Sequence, residues 1–305
     1  MYTSARALHD SGTCPVLSYL GNLRSPFQLL KARTHVARLA PDFELIHCQW
    51  GSAAALACDL PTPCPKVVSL RGSDWTPAYS RRLASRIHGK LARYLTERAL
   101  PTFNAIVCMS ERLADEVSKQ FPRKPVYVLP DPIDLNVFAP IDKRLARRQL
   151  GLPDTDHRYV MFGSYYSTKQ LKRRWLAEAA VTEAQRYHPN LRFLPAHGIP
   201  HEQMPRLISA ADVAICTSVS EGWPNIIKEA LACNVPFVST DVSDLRLIAD
   251  RDQHCKVVPD DPRSLGSALA EVLSMPAPSD LRRHVQCMSL ESHAQQLLSI
   301  YRSLS

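Results

Sequence analysis

Short apolar runs alternate with amphipathic stretches along the whole chain. The runs at residues 15–20, 43–48, 66–70, 105–109 and 126–129 have the length of buried strands. Between them, residues 25–39 place Leu29, Leu30, Ala32 and Val36 at helical spacing. Residues 51–58 are small and alanine-rich, which suits a helix packed closely on a sheet. Ser110 is placed to cap the helix that follows the fourth run. Charged text with scattered prolines then continues to Pro153 and marks a domain boundary. The alternation restarts, with strands expected at 159–162, 191–194, 213–216, 235–238 and 254–258. Helices are expected at 171–187, 201–210, 225–233 and 262–273, and an amphipathic tail at 289–304 carries Leu297, Leu298 and Tyr301 on one side. Strand and helix alternating twice over predicts two doubly wound α/β domains with a cleft between them.

One stretch, SVSEGWPNIIKEALACNVPFVSTD from Ser218 to Asp241, organises the second half. It joins two apolar strands through a Gly/Pro loop and a helix, a βαβ unit. Pro224 favours the first helical turn, where its missing N–H costs nothing. The start of that helix presents unpaired backbone N–H groups and the positive end of a dipole at the carboxyl edge of a parallel sheet. That is a ready site for phosphate. Glu221 lies in the loop and Glu229 about one turn inside the helix, with seven residues between them. Carboxylates do not bind phosphate, but they accept hydrogen bonds from sugar and ribose hydroxyls. A phosphate-binding helix end flanked by two hydroxyl acceptors suits a nucleotide-sugar.

Composition narrows the classes. At 305 residues with 45% hydrophobic and 22% charged side chains, the chain is globular. No run reaches the roughly 18 apolar residues of a membrane helix, and MYTSARALHDSG has no signal-peptide core. The nine cysteines are unpatterned, which reads as reduced cytosolic thiols, and the histidines show no metal spacing. The net charge of +8 is uneven: from Arg71 to Ala105 there are seven basic residues and two acidic ones. Within RRLASRIHGKLARYLTER, Leu83, Ile87, Leu91 and Leu95 form a stripe, with Arg81, Arg82, Arg86, Lys90 and Arg93 on the other faces. Such a helix either packs its stripe on its own sheet or lies on an anionic membrane surface. No nucleic-acid motif or aromatic platform accompanies the charge.

The segment EGWPNIIKEALACNVPFVSTDV resembles the donor-site signature of the family 4 glycosyltransferases, which have the GT-B fold of two facing Rossmann-like domains. IHCQWGSAAALA, VVSLRGSDW, AIVCMSERLADEV, VLPDPIDLNVFAP and IPHEQMPRLISAADVAICTS resemble further family segments, so the likeness extends over most of the chain from about Glu44. The resemblance implies an N-terminal acceptor-side domain (1–140), a C-terminal nucleotide-sugar domain (141–285) and a last helix (286–305) that crosses back to the first domain. It implies that Glu221 contacts the transferred sugar and Glu229 the ribose. The loop and helix amides at Gly222, Trp223, Pro224 and Asn225 would hold the diphosphate. A basic residue is expected near Gly163, after the first strand of the second domain, and GSYYSTKQLKRRWLAEAA offers Lys169, Lys172 and Arg173, with Lys172 the best match and Arg173 second. Where many members carry a histidine near the reacting sugar, this chain has Arg71. Arginine stays protonated and cannot act as a base, but it can stabilise charge on the leaving diphosphate. His47, at another strand end, reads as a half-buried structural residue. Relatives also open with a strand and a Gly-rich loop, whereas ALHDSG here resembles the end of the helix that follows them. The first domain is therefore expected to lack its first strand.

The resulting expectation is a metal-independent retaining hexosyltransferase, cytoplasmic or peripheral on the inner membrane face. It would use a nucleotide-sugar as substrate, no cofactor, and a polysaccharide or lipid-linked acceptor. No side chain reads as a covalent nucleophile, so retention would come from front-face attack. The Asp-x-Asp pairs Asp154/Asp156 and Asp250/Asp252 read as surface loops rather than metal ligands, and Asp260 and Asp261 as a helix N-cap. Two alternatives are an inactive or partner nucleotide-sugar-binding protein and a nucleotide-sugar epimerase.

Overall fold

The computed structural model describes residues 2–23, 25–76, 83–153, 156–163 and 170–304. Arg81, Arg82, Asp154 and Lys169 lie outside the described residues. The chain forms two compact units: Met1–Pro132 with Ser220–Trp223 and Leu290–Ser305, and Ile133–Val219 with Pro224–Ser289.

The first unit holds a parallel sheet of β1 (Ile46–Cys48), β2 (Lys66–Leu70), β3 (Ala105–Cys108) and β4 (Val126–Val128) in that spatial order. Around it run α1 (Tyr2–Asp10), α2 (Pro26–Leu39), α3 (Ser52–Ala57), α4 (Leu83–Ala99) and α5 (Glu111–Gln120). Strands β2 and β3 are wholly buried, as a parallel sheet covered on both faces requires. Ser25 and Ser110 cap α2 and α5 by accepting from the amides of Gln28 and Leu113.

The second unit has a five-stranded parallel sheet: β5 (Arg158–Gly163), β6 (Leu191–Ala196), β7 (Val213–Cys216), β8 (Phe237–Ser239) and β9 (Lys256–Val257). Its spatial order is β6-β5-β7-β8-β9, so the order reverses between β5 and β7. Ligands of open α/β sheets bind outside the strand ends at such a reversal. Its helices are α6 (Lys143–Gln149), α7 (Arg174–Ala184), α8 (Met204–Ala210), α9 (Asn225–Ala232), α10 (Leu245–Ala249) and α11 (Pro262–Ser274), the last capped by Asp261. The final helix, α12 (Leu290–Arg302), packs on α1 in the first unit, and Tyr301 meets His47 of β1 at 2.5 Å.

Four sequence expectations change. Residues 15–20 form no strand: they pair with none of the described strands, and Pro15 lacks an N–H to donate. The helix expected at 171–187 begins only at Arg174, since Arg173 takes a left-handed conformation at φ +47°. On α4 the middle of the apolar stripe does not pack inward: Ile87 and Leu91 are 57% and 50% exposed, while Leu95 is half-buried. The small residues do that work instead, because Thr96 Oγ1 accepts from the amide of Ser52 at the start of α3 and donates to the carbonyl of Asp74. Asp252 is no surface loop residue. It is 7% exposed and holds His254, Arg283 and His284, tying the turn after α10 to the stretch before α12.

Helices α7 and α11 form the tightest helix pair of the second unit. They approach through Ala177, Ala180, Ala184 and Gly266 over a core that includes Val160, Leu176, Ile215 and Leu269. A Cβ added at Gly266 would sit 2.5 Å from the Glu183 Cβ and 2.9 Å from the Ala180 carbonyl oxygen. Replacing a helical glycine by alanine ordinarily gains about 1 kcal/mol. Overpacking against backbone costs about 1–3 kcal/mol, and here it wins. Gly266→Ala is expected to lower the urea midpoint by an amount equal to roughly 1–2 kcal/mol, with an unchanged denaturant slope. An increase in stability would show that α7 and α11 are less closely packed than described.

Candidate functional site

Three elements of the second unit converge at the β5/β7 reversal. Strand β5 ends at Gly163, and the reason for glycine is direct: an added Cβ would lie 2.3 Å from a side-chain carbon of Ile226 in the first turn of α9. The strand end and the helix start are therefore in van der Waals contact. Pro224 is the N-cap of α9 rather than its first helical residue, at φ −72° and ψ 109°, and its carbonyl accepts from the amides of Ile227 and Lys228. The amides of Asn225 and Ile226 precede the first intrahelical bond, and they carry the positive end of the helix dipole.

The second element is the corner at Lys172 and Arg173. A left-handed arginine costs roughly 1–2 kcal/mol. Its guanidinium supplies the compensation, donating to the carbonyls of Thr217 at 2.7 Å and Ser218 at 3.1 Å. It also pairs with Asp260 at 2.6 Å. Hydrogen bonds from a charged group contribute about 1.5–3 kcal/mol each, so the bonds outweigh the strain. Thr217 closes the corner by donating its hydroxyl to the Lys172 carbonyl at 2.7 Å. Arg173 is thus committed to the protein, and the corner it fixes carries the half-buried Lys172.

The third element is Glu229 on α9. It is half-buried, and burial pushes its carboxyl up to about 7, opposed by the charges of Lys228 and then Lys172. Lys172, expected from its place in the sequence, therefore lies close enough to Glu229 to favour the carboxylate. Lys228, 1% exposed within α9, is a buried cation that sequence reasoning did not single out. Its position in an apolar helical pattern gave no signal.

In the first unit, Arg71 follows β2. Its guanidinium donates to the Gln49 backbone carbonyl at 3.2 Å and the Gln49 side-chain oxygen at 2.6 Å, and pairs with Asp131. Asp74, 1% exposed, holds the turn: it accepts from the amides of Arg71 at 2.9 Å and Gly51 at 2.8 Å. Burial raises its carboxyl, and these amides act against that shift. Residues Ser220–Trp223 belong to this unit, with Glu221 half-buried and Trp223 buried. A Cβ on Gly222 would lie 2.4 Å from the Arg71 carbonyl oxygen, and one on Gly72 would lie 2.9 Å from the Gly222 Cα. Glycine at both positions lets two backbones touch, and Gly72 also needs it for φ +92°. His47 is held between Tyr301 and Ser69 Oγ, at 2.5 and 2.8 Å. Burial, with the charge of Arg71 and then His293, pushes its pKa down to about 3, so it stays neutral. Among the described residues, no three His, Cys, Asp or Glu side chains come together in a way that could hold a metal ion.

The sequence matches two family profiles: Glycosyltransferase Family 4 over residues 2–137 and Glycosyl transferases group 1 over residues 141–275. It is 29% identical over 254 residues to TuaC, a teichuronic acid biosynthesis glycosyltransferase of Bacillus subtilis (strain 168), covering 76% of this chain and 61% of that one. It is also 29% identical over 214 residues to D-inositol 3-phosphate glycosyltransferase of Segniliparus rotundus, covering 58% and 46%. The chain thus spans about half to three fifths of the length of these relatives. Among solved structures, sucrose-phosphate synthase from Thermosynechococcus elongatus superposes with a TM-score of 0.71 at 18% identity, over 95% of this chain and 81% of that one. Anabaena HepE, in complex with UDP and glucose, gives 0.67 at 16% identity, over 98% and 89%. These likenesses establish the GT-B fold, and with profiles covering both halves of the sequence the chain belongs to the group 1, family 4 glycosyltransferases.

Proposed function

We propose that the protein is a metal-independent, retaining hexosyltransferase that moves a sugar from a nucleotide-diphosphate sugar to a polysaccharide or lipid-linked acceptor. The observation that carries this reading is the grouping of Lys172, the start of α9 and Glu229 at the reversal of the second sheet. Lys172 and the amides near Asn225 present fixed positive charge where a diphosphate gains charge as it leaves. Glu229 accepts from the ribose hydroxyls and Glu221 from the transferred sugar. Arg71, partly neutralised by Asp131, adds charge stabilisation rather than proton transfer. Arg173 acts by positioning Lys172. The HepE structure contains UDP and glucose, a donor-side pair of the class proposed here.

The partner surface proposed alongside is an anionic membrane. Helix α4 exposes Ile87, Leu91 and Tyr94 next to Arg86 and Lys90, which is the amphipathic basic pattern of an interfacial helix. No described helix is long and apolar enough to cross a membrane.

Four outcomes are expected. Calorimetry with UDP-, GDP-, ADP- and TDP-sugars in EDTA should find one donor bound at micromolar Kd, weakened about tenfold or more in Glu229→Ala, a loss of about 1.4 kcal/mol or more. No binding by any donor would sink the transferase reading, and loss of binding on chelation would sink metal independence. The affinity should also fall with acid. Glu229 loses its negative charge as pH drops through about 7, so Kd should rise about tenfold between pH 8 and 6 and stay flat in Glu229→Gln. The sign for folding is the reverse: burial that raises the carboxyl to about 7 makes the fold lose stability as pH rises from the ordinary carboxylate range to about 7, so Glu229→Gln should be the more stable protein at pH 8. Finally, sedimentation with phosphatidylglycerol vesicles should retain the protein at low salt and release it at high salt. Ile87→Glu with Leu91→Glu should abolish retention, and equal binding to phosphatidylcholine would rule out the charge component.

A further inference from the structure

Two cysteines of the first unit stand apart from the rest. Cys48 ends β1, and Cys58 caps the C-terminus of α3. Both are buried in one apolar cluster, 5% and 3% exposed. Their thiols are hydrogen-bonded to each other, and the Cys48 thiol also meets the Trp50 carbonyl at 3.0 Å. Both line the space of about 300 Å³ beside β1, which is ample for a molecule little larger than water.

The last carbonyls of a helix carry negative charge and disfavour a thiolate. Here that charge is taken up. The Arg33 guanidinium donates to the carbonyls of Leu56, at 2.6 Å, and Asp59. The ammonium of Lys66, a residue 5% exposed, donates to the carbonyls of Cys58 at 3.1 Å and Leu60 at 2.6 Å. The Cys48 hydrogen bond, with the charges of Lys66 and then Arg33, holds the Cys58 thiol below its ordinary range, against the effect of burial. Burial prevails elsewhere: it pushes Cys108 up, and Cys233 and Cys255 up to about 12. Cys58 is thus the attacking sulfur, and Cys48 the thiol poised to resolve it.

We propose that Cys48 and Cys58 are a modification site, joined in a reversible disulfide when the protein meets hydrogen peroxide. The Cys58 thiolate attacks one peroxide oxygen. The O–O bond breaks and hydroxide leaves, which makes Cys58 a sulfenic acid. The Cys48 sulfur then attacks the Cys58 sulfur. The S–S bond forms, the S–O bond breaks, and water leaves with the Cys48 proton. Overall two thiols give up two electrons and two protons, and one peroxide becomes two waters. The bond draws the sulfurs to about 2 Å and ends the Cys48 hydrogen bond to Trp50. The loop it closes contains Gln49, which seats Arg71, and Gly51, whose amide is bonded to Asp74. The redox state of the pair therefore acts on the turn that fixes Arg71. The inference is independent of the glycosyltransferase reading.

The test treats the whole reduced protein with a small excess of hydrogen peroxide, blocks remaining thiols with N-ethylmaleimide in urea, and maps peptides by mass spectrometry after cleavage between the two cysteines. The Cys48 and Cys58 peptides should be joined, lighter by two hydrogens than the reduced pair, and parted again by dithiothreitol. Cys58 should react about tenfold or more faster than Cys255. In Cys48→Ala, Cys58 should stop at a sulfenic acid that dimedone traps. Tryptophan emission should shift on oxidation, return on reduction, and show no shift in Trp50→Phe. Three results with the wild-type protein would overturn the proposal, whether or not the variants fold. They are no joined pair at a dose that oxidises the exposed Cys14 and Cys287, joining of Cys58 to Cys64 instead, and an equal yield from protein unfolded in urea. A joined pair without the emission change would overturn its action on the turn. Donor binding by the same sample tests the transferase reading separately.

Discussion

The corner at Arg173 holds the candidate donor region in place. A side chain that the sequence offers as a phosphate ligand instead folds back on the carbonyls of Thr217 and Ser218, at the end of β7. Thr217 returns a hydrogen bond to Lys172. The start of α7 and the end of β7 are thereby locked together across the point where the strand order reverses. Lys172 is presented from this lock, and α9 starts beside it because Gly163 lets Ile226 come into contact. If the lock opened, Arg173 would keep its backbone strain and lose its compensation.

The first unit solves a similar problem with a carboxylate. Asp74 gathers the amides of Gly51 and Arg71, and its carbonyl takes the hydroxyl of Thr96. One buried acid thus joins β2, the start of α3 and α4. That arrangement explains why α4 turns its small residues inward and leaves Ile87 and Leu91 at the surface. The amides it accepts offset part of the penalty for burying the acid, whose carboxyl burial still holds above its ordinary value. Arg71 is fixed by the same turn and by Gln49, so its guanidinium has one orientation.

Charge in this protein is mostly committed to structure. Arg173, Asp252 and Asp74 each hold several partners, and the histidines around Asp252 serve the same turn. Glu229 is the exception of interest, a carboxyl that burial pushes up to about 7 beside two lysines. A carboxyl poised there changes charge near neutral pH, and such a perturbed group is a candidate functional position.

Local signals in the sequence determined a good deal. The apolar runs overlap all nine described strands, because the central strands of a parallel sheet are covered on both faces and read as mostly apolar. Capping residues such as Ser110 and Asp261 marked helix starts for the same local reason. Glu221 and Glu229 stood out by their spacing around a strand–loop–helix, and Lys172 by its resemblance to the family pattern after the first strand of the second domain. Only the tertiary structure decided what each charge does. Whether Arg173 meets a ligand or a carbonyl, whether Asp252 is exposed or buried, and which face of α4 is inside all depend on residues distant in sequence. The same holds for residues 15–20: their apolar pattern suggests a strand, but they pair with none of the described strands. Pattern reports what a segment can bury; the partners that complete it exist only in the fold.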